Sequence, residues 1–427
     1  MNAEAQDDAL PLLALVYGSL TVEHPLRRLA EAARGVCRLL WVLPFDHKDV
    51  RVAIRLLKAE GEIDGEVVDA SKMSPEQAAD AIRLHAPDGI VCFVDETIAW
   101  TATIADLLGL RFHSPHTAAL LTDKYRQRAA LRDFGLPTPP FWRAEDLTDP
   151  AIVSDVVSQV GLPVVLKPRR GVAGIDTEPL RTEDALRRAA TSVTPETMLI
   201  EGYIPDPATP LTGPGSALFA SVELAASGGE ISILGVTGRT PLAPPFRETG
   251  QLFPADIEPE TRRALVDAAV GATRALGVTT GVLHVEIKPT DDGPVVIEVN
   301  GRPGGFQINE FVKRARGIDL IELSMRLALG ERLAYPDIDS HTGVGFVFLV
   351  QPGSDMHRID SVEGVDAALA IPGVERAVLR DAALRNEFTW RSGSLGYVAE
   401  VSGTARDHED ARRIREQVLA TIVVSGE

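Results

Sequence analysis

Between residue 11 and about residue 113 the chain alternates short apolar runs of β type with segments of helical period, and few architectures accept that rhythm. LLALVYG gives way to RRLAEAARG, CRLLWVLPF to VRVAIRLLKAEG, GEVVDA to PEQAADAIRLH, and GIVCFVDE to TIAWTATIADLLG. Strands that each wait for a helix before the next strand must lie parallel, with the helices as crossovers. A length of 427 residues allows about two to four such units. With 45% apolar and 24% charged residues, the composition fits globular α/β folding and neither disorder nor a fibre.

The first strand-to-helix turn has no G-x-G-x-x-G, so this Rossmann-like unit lacks a dinucleotide phosphate cradle and reads as structural and substrate-facing. Beyond it, Asp123 is placed to cap a helix from Lys124 to Phe134, which Gly135 and Pro137 stop. Residues 150–205 form a small α+β module, and Pro179 in its second strand is expected at an edge or bulge. Three Pro and two Gly within 206–217 mark a loop or hinge. SALFASVELAAS, EISILGVTGRT, GVLHVEIKPT and VVIEVN then predict an antiparallel sheet, interrupted by a helix that ends at Gly277. The expected units are 1–120 (Rossmann-like), 121–205 (with a lid at 155–205), 206–332 (catalytic) and 333–427 (a further α+β unit).

Sixty-one acids against 43 Lys and Arg give a net charge of −18, a field that repels nucleic-acid backbones but leaves room for a local cationic nucleotide site. Cys37 and Cys92 both lie in apolar runs, as buried thiols rather than a disulfide framework or metal ligands. MNAEAQDDA carries acids where a leader would carry basic residues, and no run reaches membrane-spanning length. The expectation is a flexible tail, no membrane association and a cytoplasmic protein.

HVEIKPTDDGPVVIEVNGRPGG carries the strongest chemical signal. Glu286 and Glu298 lie 12 residues apart across a turn holding Asp291, Asp292 and Gly293, so a hairpin would set them side by side. Two like charges among apolar neighbours require cations between them. With the Asn300 amide they form a hard oxygen donor set suited to magnesium shared with substrate phosphates, and Arg302 could meet a phosphoryl oxygen with its planar fork. The plain alternative is a solvated hairpin with two acids on its polar face. Upstream, LPVVLKPRRGVAG places Lys167 at a strand end before a turn with Gly171 and Gly174, and MLIEGYIPD carries Glu201 into a chain break. Backbone groups there could meet an adenine edge, with Glu201 accepting from the exocyclic amine.

In this order the segments resemble the ATP-grasp superfamily over roughly residues 12–330, most densely from 121 to 305. The resemblance implies the ATP-grasp fold: α/β and α+β parts, with an N-terminal Rossmann-like domain, a small lid and an antiparallel catalytic sheet. ATP would be held by Lys124, Lys167, Glu201 and the backbone of Tyr203 and Ile204, with Asp206 standing in for the usual ribose-binding Glu. Metal ligation falls on Glu286, Glu298 and Asn300, for Mg2+ or Mn2+, and acyl-phosphate stabilisation on Arg302. TGRTPLAPPFRETGQLFPADI and NGRPGGFQINEFVKRARGIDL resemble the L-amino-acid ligase and carboxylate–amine ligase branch, with its extra C-terminal domain. That branch implies amide bond formation between small carboxylate and amine substrates, amino acids or their analogues, with Gly304 and Gly305 near the activated carboxylate and Glu248 near the amine.

Three departures from the family pattern stand out. Asp176 falls where the lid turn usually ends in Gly, and an acid there would repel triphosphate. No Glu follows the hinge before Glu223, and Pro179 makes for a short or mobile lid. The rival reading is an ATP-grasp carboxylase using bicarbonate, of the biotin-carboxylase or purine-pathway type, and the Gly-Gly after Arg302 argues against the former. A nucleotide-sensing relative would be expected to lose the metal ligands. Oligomeric state stays open, a homodimer included.

Overall fold

The computed structural model describes residues 10–18, 25–189, 197–208, 212–337, 342–380, 384 and 387–427. The acidic N-terminal run, the end of the helix read from EDALRRAATS and the middle of the 206–217 loop fall outside the described residues.

The N-terminal alternation resolves into four parallel strands, β1 (Leu12–Val16), β2 (Arg38–Leu43), β3 (Glu66–Asp69) and β4 (Gly89–Cys92), in the order β3-β2-β1-β4. Both faces of this sheet are apolar because helices cover both, as parallel sheets require. One covering helix comes from far along the chain: Ile321, Met325 and Ala328 of the helix Leu320–Ala328 pack into the cluster around Leu13, Leu15 and Trp41. Cys37 and Cys92 are buried, and burial pushes their thiols up to about 12 and about 11.

A second sheet follows: β5 (Phe141–Arg143), β6 (Val164–Pro168), β7 (Glu178–Leu180) and β8 (Met198–Gly202), antiparallel in the order β5-β8-β6-β7. Pro179 lies on its edge strand, where a missing N–H costs nothing in the ladder. This sheet has its own core, from Ala144 and Val153 to Leu186 and Ile200. The module therefore starts at β5, before residue 155. The helix Lys124–Asp133 ahead of it, capped by the Asp123 carboxylate, sends Leu131 into the core of the main body.

The third sheet has eight antiparallel strands. β9 (Ala220–Ser227), β10 (Glu230–Arg239), β11 (Gly250–Phe253), β12 (Thr280–Lys288) and β13 (Val295–Asn300) are joined by β14 (Val344–Val350), β16 (Val374–Leu379) and β17 (Ala399–Ala405), while β15 (Ile359–Glu363) pairs with β18 (Val423–Gly426) elsewhere. The order is β13-β12-β9-β10-β11-β14-β17-β16. A break at 332/333, expected from sequence, thus falls within one ladder: β11 pairs directly with β14. The helix Pro259–Ala275 buries Leu265, Ala269 and Ala272 against β9, β12 and β13. Among the described residues no helix is long and apolar enough to cross a membrane.

Candidate functional site

The antiparallel register of β12 and β13 sets Glu286 directly opposite Glu298 and His284 opposite Asn300. On its other side β12 pairs with β9, which brings Glu223 opposite His284. Side chains on one face of neighbouring strands stand close enough to interact, so the register alone builds a row of charge. His284 Nδ1 lies 2.9 Å from Glu223 Oε2, and its Nε2 lies 3.4 Å from Glu286 Oε1. Ser221 and Thr237 donate hydroxyls to Glu223, at 2.8 and 3.1 Å. From the helix Lys124–Asp133, Lys124 reaches Glu298 at 2.8 Å and donates to the Gly171 carbonyl at 2.8 Å.

These partners answer the cost of burying like charges. Burial works against the charged form of Glu286, but His284, Arg239 and Lys124 outweigh it and hold its carboxyl down to about 2. Burial likewise opposes charge on His284, and Glu223 with Glu286 raises the imidazole to about 9. The Asn300 Nδ2 donates to the His284 carbonyl, which leaves Oδ1 as its donor atom for a cation. No group of three or more His, Cys, Asp or Glu side chains suited to a metal occurs among the described residues. Two adjacent carboxylates and an amide oxygen do fit a hard divalent ion that takes its remaining ligands from phosphates and water. Glu223, His284 and Arg239 were missed in the sequence; an acid and a basic residue at the centre of apolar strands were the available signal.

Lys167 and Glu201 meet at the inner end of a cavity of about 430 Å³ between the small sheet and the large one. Lys167 Nζ lies 2.5 Å and Arg128 Nε 3.0 Å from the two Glu201 oxygens, with all three side chains buried. Arg128 also donates to the Val296 and Ile297 carbonyls, at 2.7 Å each, and so ties the hinge strand to β13. Burial opposes charge on Glu201, yet Arg128 and Lys167 bring it down to about 2. Burial also pushes the Lys167 ammonium down while Glu201 pulls it back. Lys167, expected at a strand end before the glycine turn, stands there in a buried ion pair with Glu201. Tyr203, Ile204 and Asp206 line the same cavity, and Lys288, unnoticed in the sequence, donates to the Ile204 carbonyl (2.8 Å), pairs with Asp206 (2.6 Å) and sits over the Tyr203 ring.

The glycine-bearing turn roofs this cavity, and the C-terminal segment holds it there. Ser394 donates its N–H to the Ala173 carbonyl (2.7 Å), and the Asp176 N–H donates to the Arg391 carbonyl (3.0 Å). Gly393 has φ +59°, and a Cβ on it would come 2.2 Å from the Ala173 oxygen. Asp176 is drawn to Arg391 (3.7 Å) and is absent from the cavity lining. Ser394 also accepts from the Glu248 N–H at 2.9 Å, and Gln351 bridges the carbonyls of Glu248 and Ser394.

Val172, Ala173, Glu248, Glu286 and Glu298 line both this cavity and a second one of about 490 Å³, so the two adjoin at the carboxylate pair. Glu248 stands at that junction, 3.0 Å from the fully buried Arg239. Arg302 lines the second cavity, but its fork already meets Asp95 at 2.6 and 2.7 Å, a partner 207 positions away on the N-terminal sheet's side. Gly305 also lines this space; Gly304 does not, and a Cβ there would strike Ile308 and His284 at 2.6 and 2.8 Å. Tyr397, Arg376 and Arg380 close the far wall from the C-terminal segment, where no motif announced them.

Residues 121–306 match the ATP-grasp domain family. The chain is 29% identical over 296 residues to the uncharacterized protein y4rH of Sinorhizobium fredii, covering 67% of this chain and 57% of that protein. It is 29% identical over 264 residues to human carnosine synthase 1 (58% and 31%) and 26% identical over 282 residues to the alanine–anticapsin ligase of Bacillus subtilis (61% and 58%). The matches thus span between about a third and three fifths of these relatives' lengths. Among solved structures, an L-amino acid ligase from Bacillus licheniformis superposes with a TM-score of 0.73 at 21% identity, covering 98% of this chain and 99% of that one. An N5-carboxyaminoimidazole ribonucleotide synthetase from Thermotoga maritima reaches 0.65 at 17% identity, over 98% and 100%. The fold is that of ATP-grasp proteins.

Proposed function

We propose that this chain, in which residues 121–306 are an ATP-grasp domain, is a cytoplasmic ADP-forming carboxylate–amine ligase that joins amino acids or amino-acid-like substrates using magnesium ATP, with Mn2+ a workable substitute. The observation that carries this reading is the placement of Glu286 and Glu298, opposite each other and at the junction of two cavities. One cavity has the hinge, Lys167 and the glycine turn for a nucleotide; the other has room for two small substrates.

In this reading a substrate carboxylate oxygen attacks the γ-phosphorus of ATP, the bridging P–O bond breaks and ADP departs. Catalysis of that step rests on positioning and charge neutralisation. Lys124 and Lys167 neutralise from the nucleotide side and Arg302 from the substrate side, with Asp95 fixing the plane of its fork. Glu286, Glu298 and Asn300 would hold the divalent ion, which supplies Lewis-acid charge to the phosphates. An amine nitrogen then attacks the acyl carbon, phosphate leaves with the bond electrons and the nitrogen sheds a proton. Glu248 is the carboxylate at that junction. The turn 171–177 keeps water from the acyl phosphate. The test is a matrix of amino-acid pairs scored for ADP and product mass, with bicarbonate alone as the competing co-substrate. ADP release with bicarbonate and no amide product would replace this reading by a carboxylase.

Two further results are expected. Arg302→Lys keeps the charge but loses the fork, so kcat should fall roughly 10²-fold, the scale of one lost preorganised donor, while ATP affinity moves little. Collapse of affinity with kcat intact would make Arg302 a ground-state nucleotide ligand. Gly393→Ala forces its new methyl against the Ala173 oxygen and lifts the turn. Strain on the order of 1–3 kcal/mol should weaken binding of a non-hydrolysable ATP analogue by about tenfold; an unchanged titration would show that the turn closes without this contact.

A further inference from the structure

Five arginines line the second cavity, and their partners divide them. Arg28 meets Asp319 at 2.5 Å, Arg239 meets Glu248 at 3.0 Å, Arg302 meets Asp95 at 2.6 Å and Arg376 meets Glu400 at 2.5 Å. Arg380 has no carboxylate partner among the described residues. One arm donates to the Leu395 carbonyl, and the guanidinium lies 5.0 Å from the centre of the Tyr397 ring. The carbonyl and the ring fix the fork without cancelling its charge. A planar, half-buried guanidinium held in this way suits a carboxylate bidentately.

Its place in the fold indicates which carboxylate. Arg380 directly follows β16, at one edge of the eight-stranded sheet, whereas Glu298 lies on β13 at the other edge, yet both face this cavity. The carboxylate that becomes the acyl phosphate must sit with Glu286, Glu298 and Arg302, so it cannot be the group at Arg380. Tyr397 packs edge-on against Phe306, giving the wall beside Arg380 an apolar side that fits a carbon skeleton.

Resting on the ligase reading above, we propose that Arg380 is the residue that binds the non-reacting carboxylate of the amino-acid acceptor. The C-terminal segment then selects the acceptor, while the hairpin activates the donor. The cavity accordingly takes a zwitterion whose nitrogen points toward Glu248 and whose carboxylate points toward Arg380.

The test begins with the wild-type chain and all pairs of the twenty common amino acids, β-alanine and γ-aminobutyrate, with product mass identifying the acceptor. The best acceptor is then compared with its own carboxamide. Wild type should favour the acid by at least about tenfold in kcat/KM, the scale of a hydrogen-bonded ion pair. Arg380→Ala should bring that preference to within about threefold, chiefly by raising the acceptor KM, and Arg380→Lys should restore part of it. Thermal melting followed by circular dichroism checks that both variants fold; if Arg380→Ala does not, Arg380→Gln and the wild-type acid-to-amide ratio decide. A preference for the acid that survives in Arg380→Ala or Arg380→Gln, or a wild type that treats amide and acid alike, overturns the proposal while the ligase reading stands. No ADP release from any pair removes the ligase reading itself, and this proposal with it.

Discussion

Glu298→Ala is expected to lower amide formation by about 10³-fold or more. The carboxylate faces Glu286 across the hairpin, opens onto both cavities and neutralises Lys124, so its removal deprives a divalent ion of a ligand that no other residue on β13 replaces. Loss of several kcal/mol of Lewis-acid stabilisation corresponds to that factor. Glu298→Gln, which keeps the shape, should fare little better, since an amide is a poorer ligand for a hard cation than a carboxylate. ADP release and product mass over a range of Mg2+ concentrations provide the readout. Turnover above about a tenth of wild type would remove the metal site from this hairpin.

The second large effect is on stability. In Glu201→Ala the buried charges of Lys167 and Arg128 lose the carboxylate between them, and breaking such a pair from one side costs about 3–5 kcal/mol. The ladder makes the damage spread: Glu201 lies on β8, the central partner of both β5 and β6. Urea unfolding should show an early loss of structure in the variant. Lys167→Met should cost clearly less, because Arg128 still pairs with Glu201. If both variants melt like wild type, the three groups exchange with water and the hinge is not a sealed ion cluster.

Local pattern carried the hairpin to the right place: residues two apart on a strand share a face, and a short turn fixes which acids meet. The N-terminal alternation and the Asp123 cap were readable for the same reason, since each depends on neighbours in the chain. What stayed hidden depends on partners far apart in sequence. Nothing near Arg302 in sequence points to Asp95, which fixes its fork, and nothing near Lys167 points to Glu201 on β8 and Arg128 on the helix Lys124–Asp133, which enclose it. Nothing near Asp176 in sequence points to Arg391, its partner. The continuity of the large sheet was equally illegible: β11 is four residues long and its partner β14 begins 91 residues after it ends.

That continuity bears on how such chains can be recombined. A chimera with its crossover near residue 333, where the sequence suggests a seam, would import Tyr397 and Arg380 from another parent while leaving β11 to meet an unfamiliar β14. Four residue pairs would have to re-form there, among them Gly250 opposite Phe348 and Phe253 opposite Gly345. Neither glycine tolerates a side chain: a Cβ on Gly250 would lie 2.4 Å from the Val347 oxygen, and one on Gly345 would lie 2.7 Å from the Phe311 ring. Acceptor pockets should therefore be exchanged as individual wall residues grafted onto an intact ladder, and not as a C-terminal cassette.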